Sequence, residues 1–405
     1  MATAKKPIIS SSFSYETLEE TLDIKSKRAS LHIGIPKETA FQENRVSLIP
    51  DAVNVLVDNG HEVAVETKAG EGSKYSDNDF SEAGGKIVYE KEEVFKAPII
   101  VKSAPIVEAD IPHLRMNQTI ISPIHLSILK KNIIEEMMAK RITAFGFENI
   151  KDDSGTYPIV RSMSEIAGSA AMLIAGQYLG SPYNGKGVLL GGISGIPPTK
   201  VVIIGAGVVG ECATRTALAM GASVKVFDNN VYRLKRLQNN LGMRVWTSVI
   251  EPKILAKQLK TCEVAVGALS MGEGRAPIVV TEEMVMNMRP GSVIIDVSID
   301  RGGCFETSEI TTHEHPTFLK HDVIHYCVPN IASGFARTAS HAVSNVLMPL
   351  LLKASKEGGL EEMVWHDFNL RHGVYMYKGY LTNFYISQRF DLKYTDLNLL
   401  IASRR

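Results

Sequence analysis

The 405-residue sequence predicts an α/β fold with two doubly wound parallel-sheet domains, the first of them discontinuous, linked by long helices. Three observations predict it. Short apolar runs of strand length alternate with helical patterns along nearly the whole chain, which marks parallel sheets wrapped by helices. Two long helical patterns, at 164–178 and 336–352, bracket the second series of these runs. A glycine-rich turn at 205–210 stands between an apolar run and a helical pattern, as at the ligand-binding edge of such a sheet.

In chain order, the first series places strands at 31–35, 62–66, 99–102, 119–124 and 143–147, with helices at 50–59, 77–83 and 126–140 between them. The helix at 164–178 then leads into a glycine-rich stretch, 184–198. That stretch lacks the Gly-Lys-Ser/Thr of a phosphate-binding P-loop and reads as a hairpin or cover loop. The second series places strands at 200–204, 223–227, 264–268, 292–297 and 323–327. The helix at 336–352 leads back out, and the tail from Glu361 reads as helical. The expected division is a polar extension at 1–30 with a helix near 15–27, one domain from 31–158 plus 337–405, and a second from 159–336. No internal repeat is visible, although both halves read as the same layered architecture.

Composition narrows the function. A hydrophobic fraction of 45% supports full globular packing, and 44 basic residues balance 44 acidic ones without long like-charge blocks. Nucleic acid and anionic membrane surfaces are therefore not expected partners. The four cysteines, Cys212, Cys262, Cys304 and Cys327, are scattered and read as reduced thiols of a cytoplasmic protein. No apolar run approaches the roughly 18–20 residues of a spanning helix. The first thirty residues lack an apolar signal core, and Glu16, Glu19, Glu20 and Asp23 count against a mitochondrial transit peptide.

The segment 200–228 is the most specific. An apolar run feeds Gly205-Ala-Gly207-Val-Val-Gly210, a small-residue amphipathic helix follows, and a second apolar run ends in Asp228, 18 residues after Gly210. Gly205 permits a tight turn, Gly207 admits a pyrophosphate close to the backbone, and Gly210 lets the helix pack against the strand. The helix N-terminus adds free N–H groups and a partial positive charge. Asp228 is placed to accept from an adenosine ribose and to repel a 2′-phosphate, which selects NAD over NADP as the cofactor of a Rossmann-like domain.

Four residues elsewhere suit the other half of a dehydrogenase site. Arg45 lies in a polar loop after the first strand, where its guanidinium would clamp a carboxylate with two parallel bonds. Lys102 ends one apolar run and His125 follows another, at the sheet edge where ligands meet parallel strands. The imidazole of His125 suits proton transfer near neutrality. Asp300 lies just past the run 292–297 and faces the expected cleft, whereas Asp296 reads as structural. The pairs His313/His315 and His321/His325 have no third ligand beside them, so no metal site is expected.

Together with the fingerprint, four segments resemble the alanine dehydrogenase and nicotinamide nucleotide transhydrogenase alpha-subunit family. They are Gly34-Ile-Pro-Lys-Glu38 with Glu43-Asn-Arg45-Val, Gly70-Glu-Gly-Ser, Met163-Ser-Glu-Ile-Ala-Gly168, and Ile299-Asp300-x-Gly-Gly-Cys-Phe-Glu306. The resemblance runs from about Leu31 to the C-terminus. It implies reversible oxidative deamination of L-alanine to pyruvate and ammonia with NAD, by a homo-oligomer that the family forms as a hexamer. It also implies that Arg45 and Lys102 bind the keto acid, that His125 and Asp300 handle protons, and that Ser164 and Asn330 contact the cofactor. The alternatives are a transhydrogenase-type subunit that binds NAD(H), or a dehydrogenase of another small L-amino acid. In the transhydrogenase branch the positions matching His125 and Asp300 usually carry Trp and Gln, so both titratable residues here favour the dehydrogenase. Two segments depart from the family pattern. Asn330-Ile331-Ala332 stands where Asn-Met-Pro is usual, and Ser270-Met-Gly272-Glu-Gly274 stands where a Pro-Gly turn is usual.

Overall fold

The computed structural model describes residues 29–40, 42–125, 129–270 and 274–402. The helix expected near 15–27, the start of the helix expected at 126–140, and Met271 to Glu273 of the departing loop lie outside them. The first half of the chain runs β1 (His32–Ile35), α1 (Pro50–Asp58), β2 (Glu62–Glu66), α2 (Asp77–Glu82), β3 (Lys86–Val88), α3 (Lys91–Val94), β4 (Ile99–Val101), β5 (Thr119–Ser122), α4 (Lys131–Ala139) and β6 (Thr143–Gly146). A long α5 (Pro158–Tyr178), started by a proline whose missing N–H costs nothing at that position, leads to the second half. There follow β7 (Lys200–Ile204), α6 (Val208–Ala219), β8 (Ser223–Phe227), α7 (Val231–Leu241), β9 (Trp246–Ser248), α8 (Pro252–Leu259), β10 (Val264–Gly267), α9 (Glu282–Met286), β11 (Val293–Asp296), β12 (Thr317–Lys320), β13 (Val323–Tyr326) and α10 (Ala336–Lys356). Short helices at Leu360–His366 and Phe368–Arg371 precede β14 (Val374–Tyr377) and β15 (Tyr380–Leu381).

The two sheets repeat one topology that the sequence comparison of the halves does not reveal. The first has the order β15-β14-β6-β5-β4-β1-β2-β3 and the second β12-β13-β11-β10-β7-β8-β9. Counting only the mutually parallel strands, each has a core in the order 6-5-4-1-2-3 with an antiparallel addition at the same edge, supplied after the core strands in the first sheet and by β12, just before the last core strand, in the second. The strand order reverses beside β1 in one sheet and beside β7 in the other, and ligands gather at the carboxyl ends of strands flanking such a reversal. The central strands are buried on both faces, as parallel strands under helices must be.

The tail expected to be helical from Glu361 is helical at Leu360–His366, Phe368–Arg371, Phe384–Phe390 and Leu397–Ala402, and it also supplies β14 and β15, which were not expected. Val374 to Tyr377 are all buried, so the run is a strand against β6. Lys378 (φ 49°) and Gly379 (φ 81°) both take left-handed conformations, the two-residue turn that matches strand twist. His321 (φ 54°) and Asp322 (φ 58°) make the same kind of turn between β12 and β13. Among the described residues no helix is long and apolar enough to cross a membrane. The glycine-rich stretch closes through an antiparallel bridge between Ile193 and Ile196, as a hairpin.

Candidate active site

The glycine turn has the shape its sequence requires. Gly205 sits at φ 118°, and a Cβ there would lie 2.3 Å from the Ala268 carbonyl oxygen. A Cβ on Gly210 would lie 1.8 Å from the Gly205 oxygen, so only hydrogen lets α6 start this close to the turn. Gly207 caps α6 with no side-chain bond, and a Cβ on it would meet no atom within 4 Å. The open space lies in front of unsatisfied helix N–H groups, which is a cradle for a phosphate. Asp228, 4% exposed, turns its carboxylate onto the turn: Oδ2 accepts from the Ala206 N–H at 2.7 Å and Oδ1 from the Asn230 N–H at 2.7 Å. Each oxygen keeps a second acceptor site for a ribose hydroxyl. Arg233 lies 4.0 Å from Oδ2 with its side chain nearly half exposed.

Arg45 leaves the loop after β1 and is 5% exposed. Glu43 takes one edge of its guanidinium, Nε donating to Oε1 at 2.7 Å and Nη2 to Oε2. Among the described residues the other edge meets only weak partners, the Met163 sulfur at 3.3 Å from Nη1 and the Ser103 carbonyl at 3.5 Å from Nη2. Burial works against both charges, but each holds the other ionised: the Arg45 pKa is raised and the Glu43 pKa lowered. The weakly held edge is the one a carboxylate would capture.

His125 follows β5 on a left-handed backbone, φ 44°, and the residue is exposed. The protein mass around it and then the positive charge of Arg45 push its pKa below 6.5, against the pull of Asp300 and Glu43. Asp300, in the turn after β11, is also open to solvent and shifts the other way. The surrounding protein raises its pKa, against an N–H bond from Asn330 at 2.8 Å and the charges of His125 and Arg45. The structure thus brings Arg45, His125 and Asp300 into one electrostatic neighbourhood, with the pKa values of the acid and the imidazole pushed towards each other.

Lys102 stands one residue past β4, as expected, but in a second cluster. It is 1% exposed, with Nζ 2.7 Å from Glu38 and 3.3 Å from Asp110, and these carboxylates raise its pKa against the burial that would lower it. Glu38 also accepts from the Ser103 N–H at 2.6 Å and the Ala104 N–H at 3.2 Å, so the cluster fixes the turn behind the Arg45 edge. Ser164 is half-buried on α5 next to Met163, and Asn330 (φ 53°) joins the two sides of the site. Its N–H reaches Asp300, and its side-chain amide donates to Glu43 at 3.2 Å.

Reading the sequence misses four acids here. Glu38 and Glu43 sit inside the motifs that carry the resemblance, but only the geometry gives them partners. Asp110 comes from a 3-10 turn, Glu108–His113, whose sequence looks like a surface loop. Glu148 lies under the His125 segment and accepts from the Ile124 N–H at 2.6 Å and from the His125 N–H. Asp296 is structural, accepting from Ser298, Cys304 and Ser308. His325 is committed to Thr307 and the Val323 carbonyl, with burial lowering its pKa to about 4, so it has no nitrogen free for a metal. Among the described residues no group of three or more His, Cys, Asp and Glu is placed to hold a metal ion.

Comparison with known proteins matches this architecture along most of the chain. The model of the alanine dehydrogenase/PNT N-terminal domain matches residues 34–167, and that of the C-terminal domain residues 171–384. Alanine dehydrogenase 2 of Staphylococcus aureus (strain USA300) is 36% identical over 368 residues, covering 91% of this chain and 98% of its own. Alanine dehydrogenase of Mycolicibacterium smegmatis is 36% identical over 371 residues, covering 91% and 100%. Among solved structures, an L-alanine dehydrogenase superposes with a TM-score of 0.84 at 34% identity, covering 89% of this chain and 99% of that one. A transhydrogenase from Sinorhizobium meliloti, at 22% identity, shares the fold with a TM-score of 0.75 over 87% and 100%. With both domain models matched in order and two relatives aligned nearly end to end, the chain belongs to the alanine dehydrogenase/PNT family of nicotinamide-dependent oxidoreductases.

Proposed function

We propose that this protein catalyses the reversible oxidative deamination of L-alanine to pyruvate and ammonia, with NAD as cofactor. The observation that carries the reading is that Asn330 is hydrogen-bonded both to Asp300 and to Glu43, the partner of Arg45, with His125 in the same electrostatic neighbourhood. A site built only to bind a dinucleotide needs no carboxylate clamp and no proton-exchanging pair. Residues 31–158 with 337–405 form the substrate unit in this reading, and 159–336 the cofactor unit.

The open space before Gly207, the tight turn at Gly205 and the acceptors of Asp228 fit a dinucleotide without a 2′-phosphate. When bound, the nicotinamide supplies the hydride acceptor or donor. Ser164 and Asn330 line its approach, and the rest of the chemistry belongs to side chains. Arg45 holds the substrate carboxylate on its Nη1 side, displacing the weak contacts to Met163 and Ser103. Lys102, countered by Glu38 and Asp110, reaches the substrate only as part of their cluster, which also fixes the turn behind the clamp. In deamination neutral His125 takes a proton from the substrate amine, and after water adds to the imine it passes protons as the carbinolamine collapses to ketone and ammonia. Asp300 stabilises the imidazolium and receives or returns the same proton. The depressed pKa of His125 keeps it in the neutral, accepting form near pH 7.

The same reading places the enzyme in the cytoplasm as a homo-oligomer, a hexamer by the family resemblance. The four free cysteines, three of them buried, suit a reducing compartment. The test is NADH consumption with ammonium and a panel of keto acids. Pyruvate should give the highest kcat/KM. Tight NADH binding with no keto acid consuming it would refute the reading.

A further inference from the structure

Glu43 has contacts that exceed those of a counter-ion. Its carboxylate side chain is 4% exposed and bonds Arg45 three times, through Nε, Nη2 and the backbone N–H at 2.9 Å. Its Oε2 also accepts from Asn330, which belongs to the segment following the second sheet. The backbone N–H of that same Asn330 donates to Asp300. A continuous chain therefore runs Arg45, Glu43, Asn330, Asp300, from the group that would hold the substrate carboxylate to the group that would handle its proton.

The chain is held on both sides. Ser333 Oγ accepts from the Asn44 N–H at 2.9 Å and donates to the Gln42 carbonyl at 2.7 Å. The His313 N–H donates to Gln42 Oε1 at 2.9 Å. The loop bearing Glu43 is thus stitched to the turn bearing Asn330 independently of the Glu43 carboxylate. The left-handed backbone of Asn330 aims its N–H at one acid and its side chain at the other.

We propose that Glu43 is a positioning residue that turns the open edge of Arg45 toward the substrate and, through Asn330, couples carboxylate binding to the placement of Asp300. This rests on the alanine chemistry proposed above. A simple counter-ion would need only the negative charge, so Glu43→Asp separates the two roles: it keeps the charge and loses the reach across Arg45 and Asn330.

The experiment measures pyruvate, ammonium and NADH kinetics for the parent, Glu43→Asp, Asn330→Ala and the double variant. Thermal protection by pyruvate in the presence of NADH reads binding without turnover. Glu43→Asp should raise the pyruvate KM and lower kcat, each by about tenfold, with the NADH KM within about twofold of the parent. The double variant should be little worse than the poorer single variant, because both changes cut the same chain. Pyruvate protection should weaken in step with KM. If Glu43→Asp stays within about threefold of the parent in kcat/KM and in pyruvate protection, or if the losses multiply in the double variant, the proposal is overturned. A parent that turns over no keto acid contradicts the proposed function instead, and pyruvate protection of the variants still decides the role of Glu43.

Discussion

Residues 200–228 form a strand, a turn, a helix and a second strand in unbroken sequence, whereas Arg45, His125 and Asp300 come from loops after β1, β5 and β11, in two different sheets. The first region works through its backbone: glycines exclude side-chain volume, and helix N–H groups face open space. The second works through charge, with Arg45, Glu43, His125 and Asp300 shifting one another's protonation. Each region is therefore vulnerable in its own way. A backbone cradle fails when atoms are added to it; a charge cluster fails when one is removed or its distance changes.

The largest expected effect comes from filling the cradle. Gly210→Val puts a branched side chain on a Cβ that would already lie 1.8 Å from the Gly205 oxygen, so NADH binding should be lost and Tm should fall by several degrees. Fluorescence titration and a thermal melt would show it, and normal NADH affinity would break the comparison at its backbone end. Next, His125→Ala should lower kcat by about 10²–10⁴ while leaving NADH affinity within a small factor. Coupled loss of both would mean that the two regions are not separable.

A smaller effect is expected at Asp228. Asp228→Ala removes the negative charge but leaves Arg233, 4.0 Å from its Oδ2, so the ratio of kcat/KM with NAD to that with NADP should fall by about tenfold or more. An unchanged ratio would remove Asp228 from cofactor choice. The smallest is a shift in a pH profile. Deamination needs neutral His125, so kcat/KM for alanine should rise with pH through a limb centred below 6.5. Asp300 pulls that pKa upward, so Asp300→Asn should move the limb further to acid as well as reduce the rate. A limb that moves to alkali would reverse the assigned coupling.

How much was legible follows the same division. The segment 200–228 was readable because its partners are neighbours in sequence: β7 and β8 match the expected runs end to end, and each glycine has the steric setting its spacing implies. Arg45, His125 and Asp300 were readable as loop residues after strands, but only as candidates. Their convergence depends on how two sheets face each other, which no local pattern encodes. Lys102 shows the limit. Its strand-end position was readable, but not that Glu38 and Asp110, from a 3-10 turn eight residues on, hold its ammonium in a buried cluster. Likewise β14 was missed because its four buried residues form a strand only where β6 offers an edge. The short β3, β9 and β12 were missed for a related reason: they are edge strands, partly exposed, and so lack the continuous apolar run that marks the buried central strands.

In the proposed reaction the cofactor cradle and the charge cluster serve one carbon atom. NADH carrying deuterium at its transferable position, incubated with the protein, pyruvate and ammonium, tests it by mass spectrometry of the amino acid formed. The account predicts L-alanine with one deuterium at the α-carbon, in amounts equal to the NADH consumed and only when pyruvate and ammonium are both present. NADH consumption that yields unlabelled alanine, or that proceeds equally without ammonium, would contradict it.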